Sequence, residues 1–268
     1  MKVKVEKKHR QQKELHSGMV TEYRKRYGYG FSEKYHRWLN EERLSYVSRG
    51  LELWAMDCGS GSGAALPILC ERFGVVVGVD LSFDLLCEAQ WSERVGRAML
   101  INGAAENLPV TDGAFNVIVL RGVLHHVADP DIVLEQINKA LAPKGELVLS
   151  EPCSDSLLLM LPRKIFNVFS PKLTKDHKAF KSKELLDLLK KNGFKVKKVK
   201  KFGFIAFPLC GMPDFLPILK YLPFPELITD VLVSIDEMLS RLPLINRESW
   251  GIDFWAEKVD SRGRGLLL

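Results

Sequence analysis

An aspartate and three glycines follow the first predicted strand, and their spacing could hold a small molecule. The apolar run Leu51–Met56 leads into Asp57, and Gly59, Gly61 and Gly63 then precede a helical pattern. Because glycine has no Cβ, the backbone can turn sharply there and a ligand can approach it closely. Ligands of open parallel sheets bind outside the carboxyl ends of the strands. The motif therefore predicts a ligand-binding loop at that edge of a sheet.

A second acid follows the second predicted strand. The β-branched run Val75–Val79 stops at Asp80, whose carboxylate could accept hydrogen bonds from both hydroxyls of a ribose. The glycine spacing is GxGxG, whereas a dinucleotide loop reads GxGxxG and binds a pyrophosphate. Asp57 would repel a pyrophosphate but attract the ammonium group of an amino acid. The pattern therefore favours S-adenosylmethionine as cofactor over the NAD of a dehydrogenase.

Strand-like and helix-like segments alternate from residue 51 onward, which predicts a parallel sheet covered by helices on both faces. The predicted strands are 51–56, 75–79, 99–101, 115–120, 145–150, 194–204 and 250–258, and the predicted helices are 64–72, 83–92, 130–141 and 183–191. Asp129 followed by Pro130 is typical of a helix start. Asn192 and Gly193 are typical of a helix end.

The chain divides into four predicted parts. An N-terminal helical arm or lid covers 1–50, and the cofactor-binding domain covers 51–205 and 249–258. An apolar cap is inserted at 206–248, and 259–268 is a loose tail. Prolines recur through the first half of the cap, so we expect short helical pieces joined by rigid turns. The same prolines argue against a membrane-spanning helix.

Composition and charge limit the class of protein. Hydrophobic residues make up 46% and charged residues 27%, which excludes a disordered chain. The five cysteines have no CxxC spacing, and the charged N-terminus lacks an apolar signal region, so we expect a cytoplasmic protein without a metal site. The net charge is +6, with 13 basic and 6 acidic residues in 1–50 and seven lysines without an acid in 190–201. Such segments could be solvated or could face an anionic membrane, but they lack the interleaved aromatic residues of a nucleic-acid surface.

Four segments resemble, in order, the motifs of class I S-adenosylmethionine-dependent methyltransferases, and the type 11 and quinone-biosynthesis branch is most similar. They read AMDCGSGSG, VVVGVDLS, NGAAENLPVTDGAFNVIVLRGVLHHVADP and ALAPKGELVLSEP. The resemblance covers about residues 53–152 and implies an α/β, Rossmann-like class I methyltransferase fold. That fold has a mostly parallel seven-stranded sheet with an antiparallel last strand, to which this sequence adds the apolar helical cap.

The resemblance also implies a role for each matching residue. Asp57 would lie near the methionine ammonium group, and Gly59, Gly61 and Gly63 along the methionine arm. Asp80 would hold the ribose. The residues expected at the adenine and the sulfonium are Leu81 against the adenine face, Ala105 and Glu106 at the adenine edge, and the backbone carbonyl of Arg121 beside the sulfonium. The family often has an aspartate where Ala104 stands, so its contact with adenine would pass to Asn102 or Glu106.

Methyl transfer needs alignment of the reacting atoms, and it needs a base only for a neutral hydroxyl or an acidic carbon. The candidates for a catalytic role are His125, His126 and Tyr27. The alternative is that the histidines shape the loop after the fourth strand. Tyr27 also belongs to an aromatic group, with Tyr23, Tyr35 and Trp38, that could close over the cofactor or pack on a surface helix.

Two apolar segments indicate the class of acceptor. Leu157–Phe169 and the cap 206–248 are apolar where exposed loops are usually polar, which is typical of a pocket for apolar ligands. We therefore expect O-, C- or N-methylation of a small or lipid-like apolar acceptor, with peripheral membrane contact as a further expectation. Two alternatives stay open: an RNA methyltransferase that uses the basic segments, and a non-catalytic protein that only binds S-adenosylmethionine.

Overall fold

A seven-stranded sheet forms the centre of the protein. The computed structural model describes residues 2–91, 95–156, 179–213, 216–243 and 245–259. The strands are β1 (Gly50–Cys58), β2 (Phe73–Asp80), β3 (Met99–Asn102), β4 (Phe115–Arg121), β5 (Leu141–Pro152), β6 (Phe194–Phe202) and β7 (Gly251–Lys258), in the order β3-β2-β1-β4-β5-β7-β6. The first five strands pair in parallel, and β7 is antiparallel to both β5 and β6. The predicted fold class is confirmed.

Helices cover the sheet and continue into the arm and the cap. They are α1 (Lys2–Ser17), α2 (Val20–Gly28), α3 (Gly30–Leu44), α4 (Leu66–Arg72), α5 (Phe83–Trp91), α6 (Pro130–Ala140), α7 (Ser182–Lys191) and α8 (Pro225–Ser240). The side chain of Asp129 accepts a hydrogen bond from the backbone N–H of Asp131 at 3.1 Å, as the predicted start of α6 requires. α7 ends at Asn192, and Gly193 follows in the left-handed region with φ 81°.

Both faces of the sheet are buried, and the strand period of two divides the side chains between two hydrophobic layers. On β4, Ile118 and Leu120 belong to a cluster that includes residues of α6 and α7. Val117 and Val119 of the same strand belong to a second cluster, with residues of α4 and Leu44 of α3. Burial on both faces therefore explains why the sequences of the parallel strands are continuously apolar. The carboxyl ends of these strands lie at one edge of the sheet.

The cap packs on the third helix of the arm. Phe31, Tyr35 and Leu39 of α3 share a cluster with Phe202 and with residues of the segment 206–219. Within 206–248 the expected short pieces are found at Phe207–Gly211, Leu219–Tyr221 and Ile245–Arg247. The expectation is wrong for α8, which has 16 residues. Its one proline is Pro225 at the first helical position, where proline is tolerated, so nothing interrupts the helix.

A buried carboxylate joins α8 to the start of the cap. Asp236 accepts hydrogen bonds from the backbone N–H groups of three consecutive residues, Phe204, Ile205 and Ala206, at 3.0, 2.8 and 3.2 Å. These groups precede a helical turn and would otherwise lack partners once buried. The interaction fixes the chain where it leaves β6. The predicted apolar segment Leu157–Phe169 and the predicted loose tail from residue 260 onward lie outside the described residues.

Most of the lysines of β6 are paired within the protein. Lys197 lies 3.0 Å from Glu257, Lys201 lies 2.7 Å from Asp155, and Lys200 contacts two glutamates, at 2.7 and 2.6 Å. The ammonium group of Lys198 lies 3.0 Å from the centre of the Tyr46 ring. The lysine run therefore offers less unpaired positive charge than its sequence suggests. Among the described residues, no helix is both long and apolar enough to cross a membrane.

A buried ion pair fixes α3 to the sheet. Arg43 Nε lies 3.2 Å from both carboxylate oxygens of Asp253 on β7, and Nη2 donates to the hydroxyl of Ser150 on β5 at 2.8 Å. The carbonyl of Arg43 accepts a hydrogen bond from the indole N–H of Trp255 at 2.6 Å. Burial raises the pKa of Asp253 above its usual value, although Arg43 opposes the rise. Removing only one partner of this pair therefore destabilises the fold, because it leaves the other charge buried and unpaired.

We expect Arg43→Met to lower the free energy of unfolding by about 3–5 kcal/mol, because it leaves the Asp253 carboxylate buried without its partner. The loss should be smaller at pH 5 than at pH 8, since protonation of Asp253 removes the unpaired charge. Urea unfolding at both pH values measures it. Arg37→Met is the matched control: Arg37 lies on the same helix in exposed ion pairs with Glu41 and Glu71, and its loss should cost less than about 1 kcal/mol. Equal losses for the two variants would contradict the prediction.

Candidate functional site

A cavity of about 550 Å³ lies where the parallel strands end. Its lining comes from the loops after β1, β2 and β4, from the end of β5, and from α1 and α2 of the arm. Of the twelve residues predicted to bind the cofactor or to act in catalysis, ten line it: Gly59, Gly61, Asp80, Leu81, Ala105, Glu106, Arg121, His125, His126 and Tyr27. Asp57 and Gly63 are not in the lining.

The loop after β1 turns through three glycines in the left-handed region. Gly59, Gly61 and Gly63 have φ values of 79°, 53° and 81°, which side chains rarely allow. A Cβ on Gly59 would lie 2.2 Å from a methyl group of Val123, so that glycine is required by packing between two loops. A Cβ on Gly61 would meet only a methyl group of Leu85, at 4.0 Å. Gly61 is therefore the glycine whose missing side chain leaves room in the cavity.

Asp80 holds this loop and also faces the cavity. One carboxylate oxygen accepts the backbone N–H of Gly61 at 2.8 Å, and the other accepts that of Ser82 at 2.8 Å. Burial raises the pKa of Asp80 to about 6, against the lowering effect of these two hydrogen bonds. Each carboxylate oxygen can accept more than one hydrogen bond, so the group can still receive hydroxyls from a ligand.

Asp57 lies beneath the cavity, in a buried pair with Arg121. Nη2 of Arg121 donates to Oδ2 of Asp57 at 3.1 Å, and Nη1 donates to the side-chain oxygen of Asn40 at 3.2 Å. Asp57 is fully buried. Across the described residues, neither Oδ1 of Asp57 nor Nε of Arg121 has a hydrogen-bond partner, although both atoms are buried. The sequence assigned a role only to the backbone carbonyl of Arg121, so its charged side chain is a feature that it missed.

These polar atoms test whether the predicted cofactor fits. The buried hydroxyls of Ser60 and Ser62 also lack partners within the described part of the chain. Together with Nε of Arg121 they are donors, and a methionine carboxylate is the acceptor they would suit. Oδ1 of Asp57 has the charge to attract the ammonium group. The site therefore carries groups of the right chemistry for an amino-acid arm, beside a carboxylate, that of Asp80, with the chemistry to hold a ribose.

The adenine end of the predicted site lies under α1. His9 Nε2 is 3.0 Å from Oε2 of Glu106, whose other oxygen is buried and has no partner among the described residues. The amide of Asn102 donates to the carbonyls of Asp80 and Leu81, at 2.9 and 3.1 Å. Two residues were expected to replace the family's aspartate. The amide of Asn102 is already hydrogen-bonded to the loop after β2, whereas Oε1 of Glu106 could still accept a hydrogen bond from an adenine amine.

A further strand-end acid, Glu151, which the sequence analysis did not single out, lies behind the loop that carries His125 and His126. Oε1 of Glu151 accepts the backbone N–H groups of Val123 and Leu124, at 3.0 and 2.7 Å. Its Oε2 lies 2.7 Å from Nδ1 of His125. Glu151 follows the apolar run of β5, so it carries the same signal as Asp57 and Asp80: an acid at the end of a strand. That signal could have identified it.

Two further histidines of the cavity, His16 and His36, are neutral at physiological pH. Burial and the nearby His125 lower the pKa of His16 to about 4. Burial lowers the pKa of His36 to about 3, and its Nε2 lies 3.0 Å from the carbonyl oxygen of Gly211 in the cap. His16 and His126 contact each other edge to face, with ring centres 5.1 Å apart. Among the described residues there is no cluster of three metal-ligating side chains.

The predicted aromatic lid is divided between two places. Tyr23 and Tyr27 of α2 line the cavity and stack on each other, with ring centres 6.3 Å apart. Tyr35 is fully buried in the core shared by α3 and the cap, and Trp38 packs against the same core. Of these four aromatic residues, only Tyr23 and Tyr27 are therefore placed to contact a ligand.

Comparison with known proteins identifies the family. The model of the methyltransferase domain family matches residues 33–199. The chain is 30% identical over 125 residues to the ubiquinone/menaquinone biosynthesis C-methyltransferase of a Shewanella species, which covers 44% of this chain and 49% of that protein. It is 28% identical over 172 residues to the glycine/sarcosine/dimethylglycine N-methyltransferase of Actinopolyspora halophila, covering 61% and 27%. The chain thus spans half or less of the length of these two relatives.

A solved structure shows the same fold. The crystal structure of an S-adenosylmethionine-dependent methyltransferase from Thermotoga maritima superposes with a TM-score of 0.60 at 19% identity, covering 92% of this chain and 99% of that one. The family match and the cavity of strand-end acids and glycine loop agree with the resemblance found in the sequence. The chain belongs to the methyltransferase domain family.

Proposed function

We propose that this enzyme methylates a small or lipid-like apolar acceptor, at an oxygen, carbon or nitrogen atom, inside the cavity that also holds the cofactor. The observation that carries the proposal is that one cavity is lined both by the strand-end polar residues and by aromatic residues of the arm and cap. Such a cavity brings donor and acceptor together without a second site. Leu81, Ala105 and Glu106 would bind the adenine, Asp80 the ribose, and the glycine loop with Asp57 and Arg121 the methionine arm.

Aromatic side chains support an apolar acceptor. The ring of Phe207 in the cap lies 5.8 Å from that of Phe202 and 6.4 Å from that of Trp250, measured between centres, and all three line the cavity. Met212 of the cap and Tyr23 of the arm add further apolar surface. Walls of this kind, with few polar groups, are typical of sites for apolar small molecules. In this proposal the arm (1–50) and the cap (206–248) act as lids.

When bound, S-adenosylmethionine supplies an electrophilic methyl group on a sulfonium. The protein's own residues orient the reaction. Asp80 and the Gly61 turn would fix the nucleoside, Arg121 would hold the carboxylate end, and the aromatic walls would align the acceptor and exclude water. The arm contributes to closure through Arg24 of α2, whose guanidinium group contacts both carboxylate oxygens of Glu88 on α5, at 3.0 and 2.6 Å.

The alternative of an RNA methyltransferase receives less support from this surface. Lys197, Lys200 and Lys201 form ion pairs with carboxylates of the same chain. Lysine side chains engaged in this way contribute less to phosphate binding, because each would have to exchange one partner for another. A small-molecule acceptor remains the proposal that the cavity favours.

We also propose peripheral contact of the cap with a lipid surface. Leu227, Val231 and Met238 of α8 are exposed, and their spacing of four and seven residues places them on one helix face. Beside them, Tyr221 and Phe224 are each 75% exposed. Exposed aromatic residues next to an apolar helix face are typical of proteins that insert shallowly into a membrane interface. Such contact would give a lipid-like acceptor a short path to the cavity.

We expect Asp80→Asn to weaken the binding of S-adenosylhomocysteine about 100-fold, because it removes a charged acceptor of ribose hydroxyls. In the unchanged protein, affinity should fall as the pH drops from 7 to 5, since the Asp80 carboxyl takes up a proton at a pKa of about 6. Calorimetry in two buffers of different ionisation enthalpy should detect the proton released on binding near pH 6. Asp84→Asn in the first turn of α5 is the control. Unaltered affinity in Asp80→Asn would contradict the assignment.

We expect Gly61→Val to reduce cofactor binding at least tenfold while the protein stays folded, because the added side chain would occupy the cavity. Gly113→Val is the matched control, since Gly113 also has a positive φ, of 72°, and a Cβ there would meet nothing within 4 Å. Both variants carry the same type of backbone strain. Thermal unfolding measures the strain and calorimetry the binding. Equal affinities in the two variants would show that Gly61 faces something other than the cofactor.

We expect the protein to sediment with phosphatidylcholine vesicles, and the double variant Tyr221→Ser, Phe224→Asn to lose at least five-sixths of that binding. Asparagine tolerates the left-handed conformation of Phe224, which has φ 56°. Because most lysines of β6 are paired, added phosphatidylserine should increase binding less than twofold. Trp91→Asn is the control, since Trp91 is the most exposed aromatic residue outside the cap among those the structure describes, at 82%. No sedimentation of the unchanged protein, or equal loss in the control, would remove the membrane proposal.

A further inference from the structure

The contact between His125 and Glu151 carries a consequence for the chemistry of the acceptor. Three hydrogen bonds fix the Glu151 carboxylate: two from the backbone of the loop after β4 and one from the imidazole of His125. The side chain of Glu151 has no exposed surface, and that of His125 is 9% exposed. None of the cofactor roles described above uses either group.

The carboxylate decides which nitrogen of His125 carries the proton. An ionised carboxylate can only accept, so Nδ1 of His125 is the donor in the contact of 2.7 Å. In the neutral imidazole the lone pair then lies on Nε2, the nitrogen that can take up a proton. A buried negative charge behind the ring also stabilises the imidazolium that would form. His125 lines the cavity, so this nitrogen belongs to a ring that a bound acceptor can reach.

We propose that His125 is the general base of the methyl transfer, that Glu151 is its positioning residue, and that the acceptor is an apolar molecule that must lose a proton, from a neutral hydroxyl group or an acidic carbon. This inference rests on the proposed function of the cavity and narrows it from O-, C- or N-methylation to O- or C-methylation. A thiol or a neutral amine would not need a base in the same way, because each is nucleophilic enough at neutral pH.

For a hydroxyl acceptor, the proposed step balances in atoms and charge. The hydroxyl oxygen of the acceptor forms a bond to the methyl carbon as the carbon–sulfur bond breaks, and that electron pair stays on sulfur. The hydroxyl proton passes to Nε2 of His125. The products are a methyl ether, S-adenosylhomocysteine and an imidazolium paired with Glu151, and the imidazolium then returns its proton to water.

The groups around His125 favour this assignment. Glu151 of β5 is the anionic group at Nδ1, and the ring of His126 lies 4.0 Å from that of His125 between centres. His16 of α1 faces the same region and is neutral at physiological pH. The Asp57–Arg121 pair at the ends of β1 and β4 is internally compensated. Among the described residues, the negative charge in contact with His125 is therefore the Glu151 carboxylate, which also orients the ring.

The state of the imidazole can be tested without knowing the acceptor. In ¹⁵N-histidine-labelled protein with S-adenosylhomocysteine, the His125 signal, assigned by its loss in His125→Asn, should report a neutral ring protonated at Nδ1 at pH 8. Glu151→Gln should abolish that preference, while Glu146→Gln, on the same strand, should leave it unchanged. A ring protonated at Nε2, or at both nitrogens at pH 8, would overturn the proposal because no lone pair would be available.

Kinetics with matched probes test the role in the reaction. The probes are 1-naphthol, which must lose a proton, and 1-naphthalenethiol, which ionises near neutral pH. His125→Asn and Glu151→Gln should each slow methylation of the naphthol about 100-fold and of the thiol less than threefold. The naphthol rate should also fall at low pH with the protonation of one group, and this dependence should vanish in His125→Asn.

Equal losses for both probes, or methylation of the thiol alone by the unchanged enzyme, would overturn the proposal. If neither probe is methylated, the tautomer of His125 decides: Nδ1 protonation that depends on Glu151 supports the pair, and any other state rejects it. Failure of the proposed function would look different. The unchanged protein would then not bind S-adenosylhomocysteine, whatever the state of His125.

Discussion

Two buried arginine–aspartate pairs hold the ligand cavity together. Asp57–Arg121 joins the ends of β1 and β4 beneath the loop of glycines, and Arg43–Asp253 joins helix α3 to β7 at the same edge of the sheet. Each buried charge is expensive unless its partner stays in place. The positions of the strands, of helix α3 and of the buried polar groups beneath the cavity therefore depend on one another. Helix α3 in turn carries the core on which the cap packs.

Much of this arrangement could be predicted because it depends on short-range patterns. Apolar runs that end in Asp57 and Asp80, glycines at fixed spacing and the Asp129–Pro130 helix start are local signals, and parallel pairing brings their positions to one edge. The side chains of Arg121 and Arg43 could not be assigned, because their partners are 64 and 210 residues away in the sequence. Glu151 carried a readable signal, an acid after an apolar run, yet its partner His125 becomes apparent only when adjacent strands are aligned.

The cap shows where proline patterns mislead. Prolines were expected to restrict the whole insertion to short helical pieces, but a proline limits a helix only from inside it or at its end. Pro225 begins α8, and Asp236 on that helix satisfies three backbone groups at the start of the cap. The hydrogen bonds from three backbone N–H groups to Asp236 thus stabilise the cap, although the prolines in its sequence predict breaks in its helices.

The position of the arm in the chain affects the order in which the cavity can form. His9 contacts Glu106 and Arg24 contacts Glu88, so these two ion pairs of α1 and α2 cannot form until residues to about 106 have left the ribosome. During synthesis the surface of the arm that makes these contacts stays exposed until the sheet has been translated. The arm is thus translated before the sheet on which it docks, and a nascent domain can pass through a stage in which the carboxyl edge of its sheet is uncovered.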